Sequence, residues 1–182
     1  MQVTRKEVKE LVESVVIAGI LAFFIITFIA QSFVVQGQSM EPTLHNGERL
    51  FVDKLSYRFS EPERGDIIVF TPKGAPGKKY IKRVIGLPGD RVKIRNKKVY
   101  INGKQIKENY ILEATLGNFG PYKVPKNHLF VLGDNRNNSA DSRYSSLVGF
   151  VSYDSISGKA FWVYWPLTNM RVIDHQSYEH LN

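Results

Sequence analysis

From Ser14 to Val35 the chain carries no charged side chain: SVVIAGILAFFIITFIAQSFVV, 22 residues, with Glu13 before it and Glu41 the next charge after it. About 20 helical residues cross the hydrocarbon of a bilayer, and lipid offers no partner to an unpaired backbone group. The run therefore predicts one transmembrane helix over residues 14–35. Ile, Phe and Leu stand on every side of it between Val15 and Ala30, so no polar face marks it as a soluble helix. Thr4-Arg5-Lys6-Glu7 ahead of it has the hydroxyl-to-Glu spacing of a capping box. Arg5, Lys6 and Lys9 hold residues 1–13 in the cytoplasm by the positive-inside tendency, which leaves residues 36–182 outside it. A cleaved signal peptide is the competing reading, since Ala30-Gln31-Ser32 has small residues at alternate positions. Its apolar core would be about 7–15 residues, shorter than this run. A retained anchor is the expectation.

After residue 36 the pattern changes to short apolar or alternating runs. Arg49–Lys54, Asp66–Phe70, Tyr80–Leu87, Arg91–Arg95, Lys98–Ile101, His128–Leu132, Val148–Val151 and Lys159–Tyr164 read as strands. Asn102-Gly103 is a two-residue hairpin signal, while 71–79 and 113–127 carry Gly and Pro and read as loops. The fold class is mainly β, an antiparallel β domain after one N-terminal transmembrane helix, with a small β excursion near 96–126.

Elimination narrows the chemistry. With no cysteine in the chain, disulfides, thiolate catalysis and cysteine metal sites are excluded. His45, His128, His175 and His180 show no metal-ligand spacing, so no metal and no cofactor is expected. The net charge is +8, but Lys and Arg are scattered. No basic helix or zinc-finger spacing points to nucleic acid, and attraction to an anionic membrane surface is the partner that charge allows.

Ser39 lies in Gln36-Gly37-Gln38-Ser39-Met40-Glu41-Pro42-Thr43-Leu44, where Pro42 breaks any regular element. Alone, it reads as a cap or a solvated hydroxyl. A serine needs a base to become a nucleophile, and no Gly-x-Ser-x-Gly elbow is present. Lysine serves when neutral near pH 7, which means lowering its pKa by about three units, or about 4 kcal/mol. Burial supplies that by desolvating the ammonium. Lys82, in the apolar strand Tyr80-Ile81-Lys82-Arg83-Val84-Ile85-Gly86, is the one lysine so placed; its other reading is a strand lysine facing water. Alternation puts Tyr80, Lys82 and Val84 on one face and Ile81, Arg83 and Ile85 on the other. Gly133-Asp134-Asn135-Arg136-Asn137-Asn138-Ser139-Ala140-Asp141-Ser142-Arg143 is dense in short polar side chains that hold irregular loops. Its Asp134, Asp141, Arg136 and Arg143 can form a charge network that includes Arg83.

Taken in order, Ser-Met-x-Pro-Thr-Leu, Tyr-Ile-Lys-Arg-Val-Ile-Gly-Leu-Pro-Gly-Asp and Gly-Asp-Asn-Arg-x-Asn-Ser-x-Asp-Ser-Arg resemble bacterial type I signal peptidases. The resemblance extends to Gly158-Lys159-Ala160 and the aromatic stretch Phe161–Pro166. The short chain with one anchor looks like the form common in Gram-positive bacteria. The resemblance implies a β peptidase fold shared with SOS-repressor-type proteins. It implies Ser39 as nucleophile, Lys82 as general base and Ser139 as the hydroxyl that orients the lysine. Arg83, Asp134, Asp141 and Arg143 match residues that brace the site. Two positions depart: Gly37 stands where some members have a hydroxyl that helps hold the oxyanion, and Asn137 where aspartate is frequent.

The implied activity is membrane-anchored serine endopeptidase action at the outer face of the cell membrane. It removes signal peptides from secretory pre-proteins after small residues of the Ala-x-Ala type, with membrane lipid as the other partner. A self-cleaving SOS-repressor-type peptidase is the nearest alternative enzyme, but it would carry a DNA-binding helix-turn-helix at the N-terminus. A non-enzymatic anchored β domain that binds a peptide or an anionic surface is the alternative from another class.

Overall fold

The structure, a computed structural model, describes residues 5–28 and 30–178, with the backbone alone at 22, 24–28 and 30. Thr4 of the capping pattern and His180 lie outside the described residues. Helix α1 spans Arg5–Phe28, and its charged first turns are laced by Lys6–Glu10 and Lys9–Glu13 pairs four residues apart. Val15, Val16, Ile17, Ile20 and Leu21 are each more than half exposed.

The uncharged run does not fold as one span. Helix α1 stops at Phe28, and Ala30–Val34 form strand β1, antiparallel to β2 (Arg49–Asp53), with Ala30 opposite Asp53 and Val34 opposite Arg49. The helix expected over 14–35 is corrected accordingly. Among the described residues no helix is long and apolar enough to cross a membrane. The physical reason lies in Phe33, Val34 and Val35, aromatic and β-branched residues that favour a pleated surface. Val35 is buried beside Leu50 and Val52, and an apolar run alone cannot tell a strand from a helix.

The remaining strands are β3 (Ile67–Phe70), β4 (Tyr80–Gly86), β5 (Arg91–Arg95), β6 (Lys98–Ile101), β7 (Lys104–Gln105), β8 (Phe119–Lys123), β9 (His128–Leu132), β10 (Val151–Ser152), β11 (Ile156–Trp165) and β12 (Arg171–Val172). A four-residue helix, α2 (Ser56–Phe59), follows β2. Eight strands make one antiparallel sheet in the order β1-β2-β11-β3-β4-β9-β10, with β12 added to β11. A second sheet, in the order β7-β6-β5-β8, leaves the first between β4 and β9. Strand β8 falls inside the loop expected over 113–127. Its Gly120-Pro121 hides the strand signal, and Pro is tolerated there because β8 is an edge strand bulged against β5.

The buried residues explain why β4 is central. Val84 packs with Ile68, Phe70, Leu129 and Val131 on one side. Ile85 packs with Val92, Phe130 and Leu132 on the other. The alternation read from the sequence is therefore the observed one, and no side chain in the middle of β4 reaches water easily.

Candidate active site

Two buried side chains hold the Ser39 turn. Met40 and Leu44 sit at 1% and 0% exposure among Leu50, Val52, Val69 and Val163, and Leu44 N–H donates to Met40 O at 2.9 Å. With Met40 anchored inward, Ser39 stays half-buried at the surface of the core. Gly37, two residues earlier, has φ 86 and donates its N–H to Asn46 Oδ1 at 2.8 Å. A side chain is strained in that conformation, so a hydroxyl residue at 37 would need a different turn.

Lys82 is 3% exposed. Its Nζ donates to Ser39 Oγ at 2.6 Å and to Ile81 O at 2.7 Å. Burial pushes the amine down from about 10.5 to about 8, against the carboxylates of Asp141 and Asp134, which pull it up. Desolvation wins because neither carboxylate touches the amine; each is spent on an arginine.

Those arginines form the frame. Arg83, fully buried on the opposite face of β4, grips Asp134 through Nε–Oδ1 at 2.9 Å and Nη2–Oδ2 at 2.7 Å, and donates to Gly65 O at 2.9 Å. Thr43 Oγ1 donates to Asp134 Oδ2 at 2.5 Å, which ties the Ser39 turn to the same carboxylate. Asp141 takes a fork from Arg143 at 2.8 Å to each oxygen and accepts the Gly133 N–H at 3.2 Å. Arg136, also fully buried, donates to Gly133 O at 2.9 Å and pairs with Glu108 at 2.6 Å. Tyr110 lies under the Arg83 guanidinium at 4.3 Å. Burial drives the Tyr110 phenol above its ordinary range, so the ring is a neutral support.

Gly133 is the point of closest approach. A Cβ there would lie 2.3 Å from Ser139 Oγ and 2.4 Å from Ser39 O, and Asn135 N–H donates to that same carbonyl at 3.1 Å. The Ser139 hydroxyl is buried and has no hydrogen-bond partner among the described residues; the contact to the lysine that the resemblance implies is not made. Asn137 ties the loop to residues 114–116, accepting from Leu116 N–H at 3.0 Å and donating to Ala114 O at 3.1 Å. An aspartate would lose the second bond.

Thr43, Glu108, Tyr110, Gly133 and Thr115, whose Oγ1 accepts from Arg136 Nη1 at 3.1 Å, belong to this frame, and none of them has a role assigned from the sequence. Thr43 stands inside the Ser39 motif and was legible there. Tyr110 and Glu108 lie in a stretch with no local pattern that ties them to Arg83 or Arg136. A second grouping was equally hidden: Glu63, Asp66 and His175 bring ligand atoms within 4.8 Å of one another. There Lys159 Nζ already sits 2.6 Å from Asp66 Oδ1 as counter-ion.

Between the ends of β1 and β4 lies an open cleft of about 570 Å³, floored by Ser39 and Lys82 and walled by Phe33, Val35, Leu50 and Ile81. A buried amine bonded to a hydroxyl at the base of a partly apolar cleft has the groups needed for acyl transfer. The family model for signal peptidase, peptidase S26, matches residues 8–165. The chain belongs to the signal peptidase (peptidase S26) family. It is 46% identical over 169 residues to a probable signal peptidase I-2 of Synechocystis, which covers 90% of this chain and 76% of that protein. It is 41% identical over 178 residues to signal peptidase I S of Bacillus subtilis, covering 92% and 94%. The crystal structure of a signal peptidase I from Enterococcus faecalis aligns with a TM-score of 0.48 at 38% identity, covering 55% of this chain and 97% of that one. In this S26 peptidase the matched residues take in both Ser39 and Lys82, along with the whole frame around them.

Proposed function

We propose that the protein is a serine endopeptidase that removes N-terminal signal peptides from exported pre-proteins, with Ser39 as nucleophile and Lys82 as general base. Membership of the signal peptidase family supports the reaction class. The observation that carries the residue assignment is the 2.6 Å contact between Lys82 Nζ and Ser39 Oγ, made by an amine whose burial brings it to about 8.

Neutral Lys82 takes the Ser39 proton as Oγ attacks the scissile carbonyl. The C–N bond breaks, and the ammonium of Lys82 gives its proton to the leaving amine, which leaves an ester on Ser39. Lys82 then takes a proton from water as the water oxygen attacks the ester, and returns that proton to Ser39 Oγ as the ester C–O bond breaks and the new carboxyl group leaves. The Ser39 N–H is the donor offered to the oxyanion. The buried hydroxyl of Ser139, beside Gly133, is without a hydrogen-bond partner among the described residues and is the group proposed to orient the lysine amine. Arg83, Asp134, Asp141 and Arg143 hold the loop and do not react. Small side chains of an Ala-x-Ala type substrate suit a cleft walled by Phe33, Val35 and Leu50.

The membrane setting belongs to the same proposal. The uncharged run and the exposed apolar side chains of α1 support seating in the bilayer. Arg5, Lys6 and Lys9 support a cytoplasmic N-terminus with the peptidase domain outside. Tethering enzyme and pre-protein in one bilayer raises their effective concentration.

The test is cleavage of a purified pre-protein by the full chain in detergent. Wild type cleaves at one site after small residues, while Ser39→Ala and Lys82→Ala each lose at least about a thousandfold in kcat with folding intact. A chelator changes nothing. Turnover that survives Lys82→Ala would refute the base.

A further inference from the structure

Charge is unevenly spread over this molecule. Residues 91–126 hold nine Lys and Arg against two Asp and Glu, a net +7 out of the chain's +8. In the small sheet, Val92, Ile94, Val99 and Ile101 turn inward to the core. Arg91, Lys93 and Arg95 of β5 therefore share the outer face with the residues paired to them. Lys93 lies opposite Tyr100, Arg95 opposite Lys98, and Arg91 opposite Lys123. Elsewhere the ion pairs of the folded domain engage Arg64, Arg83, Arg136, Arg143, Lys159 and Arg171. Among the described residues the five cations of this face are in no ion pair. Three of them, Arg91, Lys93 and Arg95, line a hollow of about 500 Å³ together with Tyr100 and Asn102.

Such a face repels itself and is favoured by an anionic partner. Two features of the fold identify the partner as a polypeptide rather than a lipid surface. First, β1, which adjoins α1, is four strand steps from β4, or about 19 Å across the sheet. That exceeds a Debye length of about 10 Å at 0.1 M salt. A bilayer at the α1 edge therefore lies outside the reach of these charges. Second, Arg91 follows Lys82 by nine residues, so the near edge of the face is at most about 32 Å from the lysine that meets Ser39. An extended chain held at Ser39 reaches it with about ten residues. Cations at alternate positions of β5 repeat with the same two-residue period as the side chains of an extended peptide.

We infer that the outer face of the small sheet is an exosite that captures an acidic stretch of the pre-protein close to the scissile bond. The inference rests on the peptidase reading above. Capture acts on encounter and holding, so it changes KM and leaves the chemical step alone.

The experiment compares two pre-proteins in neutral detergent, one with four Asp or Glu among the first dozen or so residues after the cleavage site, the other with Asn and Gln in their place. The full-length chain and its Lys93→Glu/Arg95→Glu variant are assayed on both. For the acidic substrate the variant raises KM about tenfold with kcat unchanged; for the neutral one the two enzymes coincide, and 0.5 M salt removes the difference. Equal KM for wild type and variant on the acidic substrate overturns the inference. So does a difference that appears only when anionic lipid is mixed into the micelles and ignores substrate charge, because the face then docks on lipid. A wild type that cleaves neither pre-protein would overturn the peptidase reading itself, a distinct failure.

Discussion

At the scale of single residues, the burial of Lys82 bears on both the proposed activity and the stability of the fold. An amine held at about 8 is largely protonated at pH 7, so kcat/KM rises with pH through about 8 and then levels. The same shift opposes folding. The folded pKa lies below the ordinary value near 10.5, so the unfolded chain binds the extra proton between pH 8 and 10.5 and stability rises across that window. Below pH 8 the full penalty applies, on the order of 3 kcal/mol. Lys82→Met, of similar volume, removes activity yet unfolds at a higher temperature than wild type at pH 7. The gap in thermal midpoint closes as the pH is raised from 8 toward 10.5. A midpoint difference that does not change with pH would show that the amine is solvated.

At the scale of elements, β4 works as a two-sided beam. One face carries Lys82 toward Ser39, and the other sends Arg83 to Asp134 and onto the Tyr110 ring. Asp134→Ala leaves a guanidinium buried without its carboxylate, and breaking such a pair costs about 3–5 kcal/mol. It also frees Thr43, and with it the turn that bears Ser39. Chemical denaturation of this variant shows the loss of stability, and its remaining folded fraction shows a lower kcat. Arg83→Met/Asp134→Leu removes both charges together, recovers most of the stability, and does not recover the rate. Strand alternation made the opposed directions of Lys82 and Arg83 legible, but the identity of the partner was not. Asp134 lies 51 residues away, and the sequence offered Asp141 as an equal candidate.

At the scale of the whole molecule, the boundary between tail and domain is the point that hydropathy misplaced. A chain begun at residue 29 keeps β1 and folds. A chain begun at residue 36 loses the neighbour of β2 and the buried Val35 side chain, at a cost of about 2 kcal/mol from that side chain alone. Thermal unfolding of the two truncations shows the difference, with the longer one near the melting temperature of the full domain. Lost folding in both would mean that α1 is part of the core.

The sequence by itself determined the local periods and the motifs. Alternation marked most strands, Asn102-Gly103 the hairpin, and three ordered segments the family and the pair proposed to react. All of these are short-range patterns that near neighbours impose. Tertiary structure alone decided which carboxylate meets which arginine, that 30–34 is an edge strand, and that Ser139 lies against Gly133. It also gathered the unpaired cations of β5, β6 and β8 onto one surface. Each of those depends on contacts between segments far apart in the chain, and no local pattern encodes the meeting of two such segments.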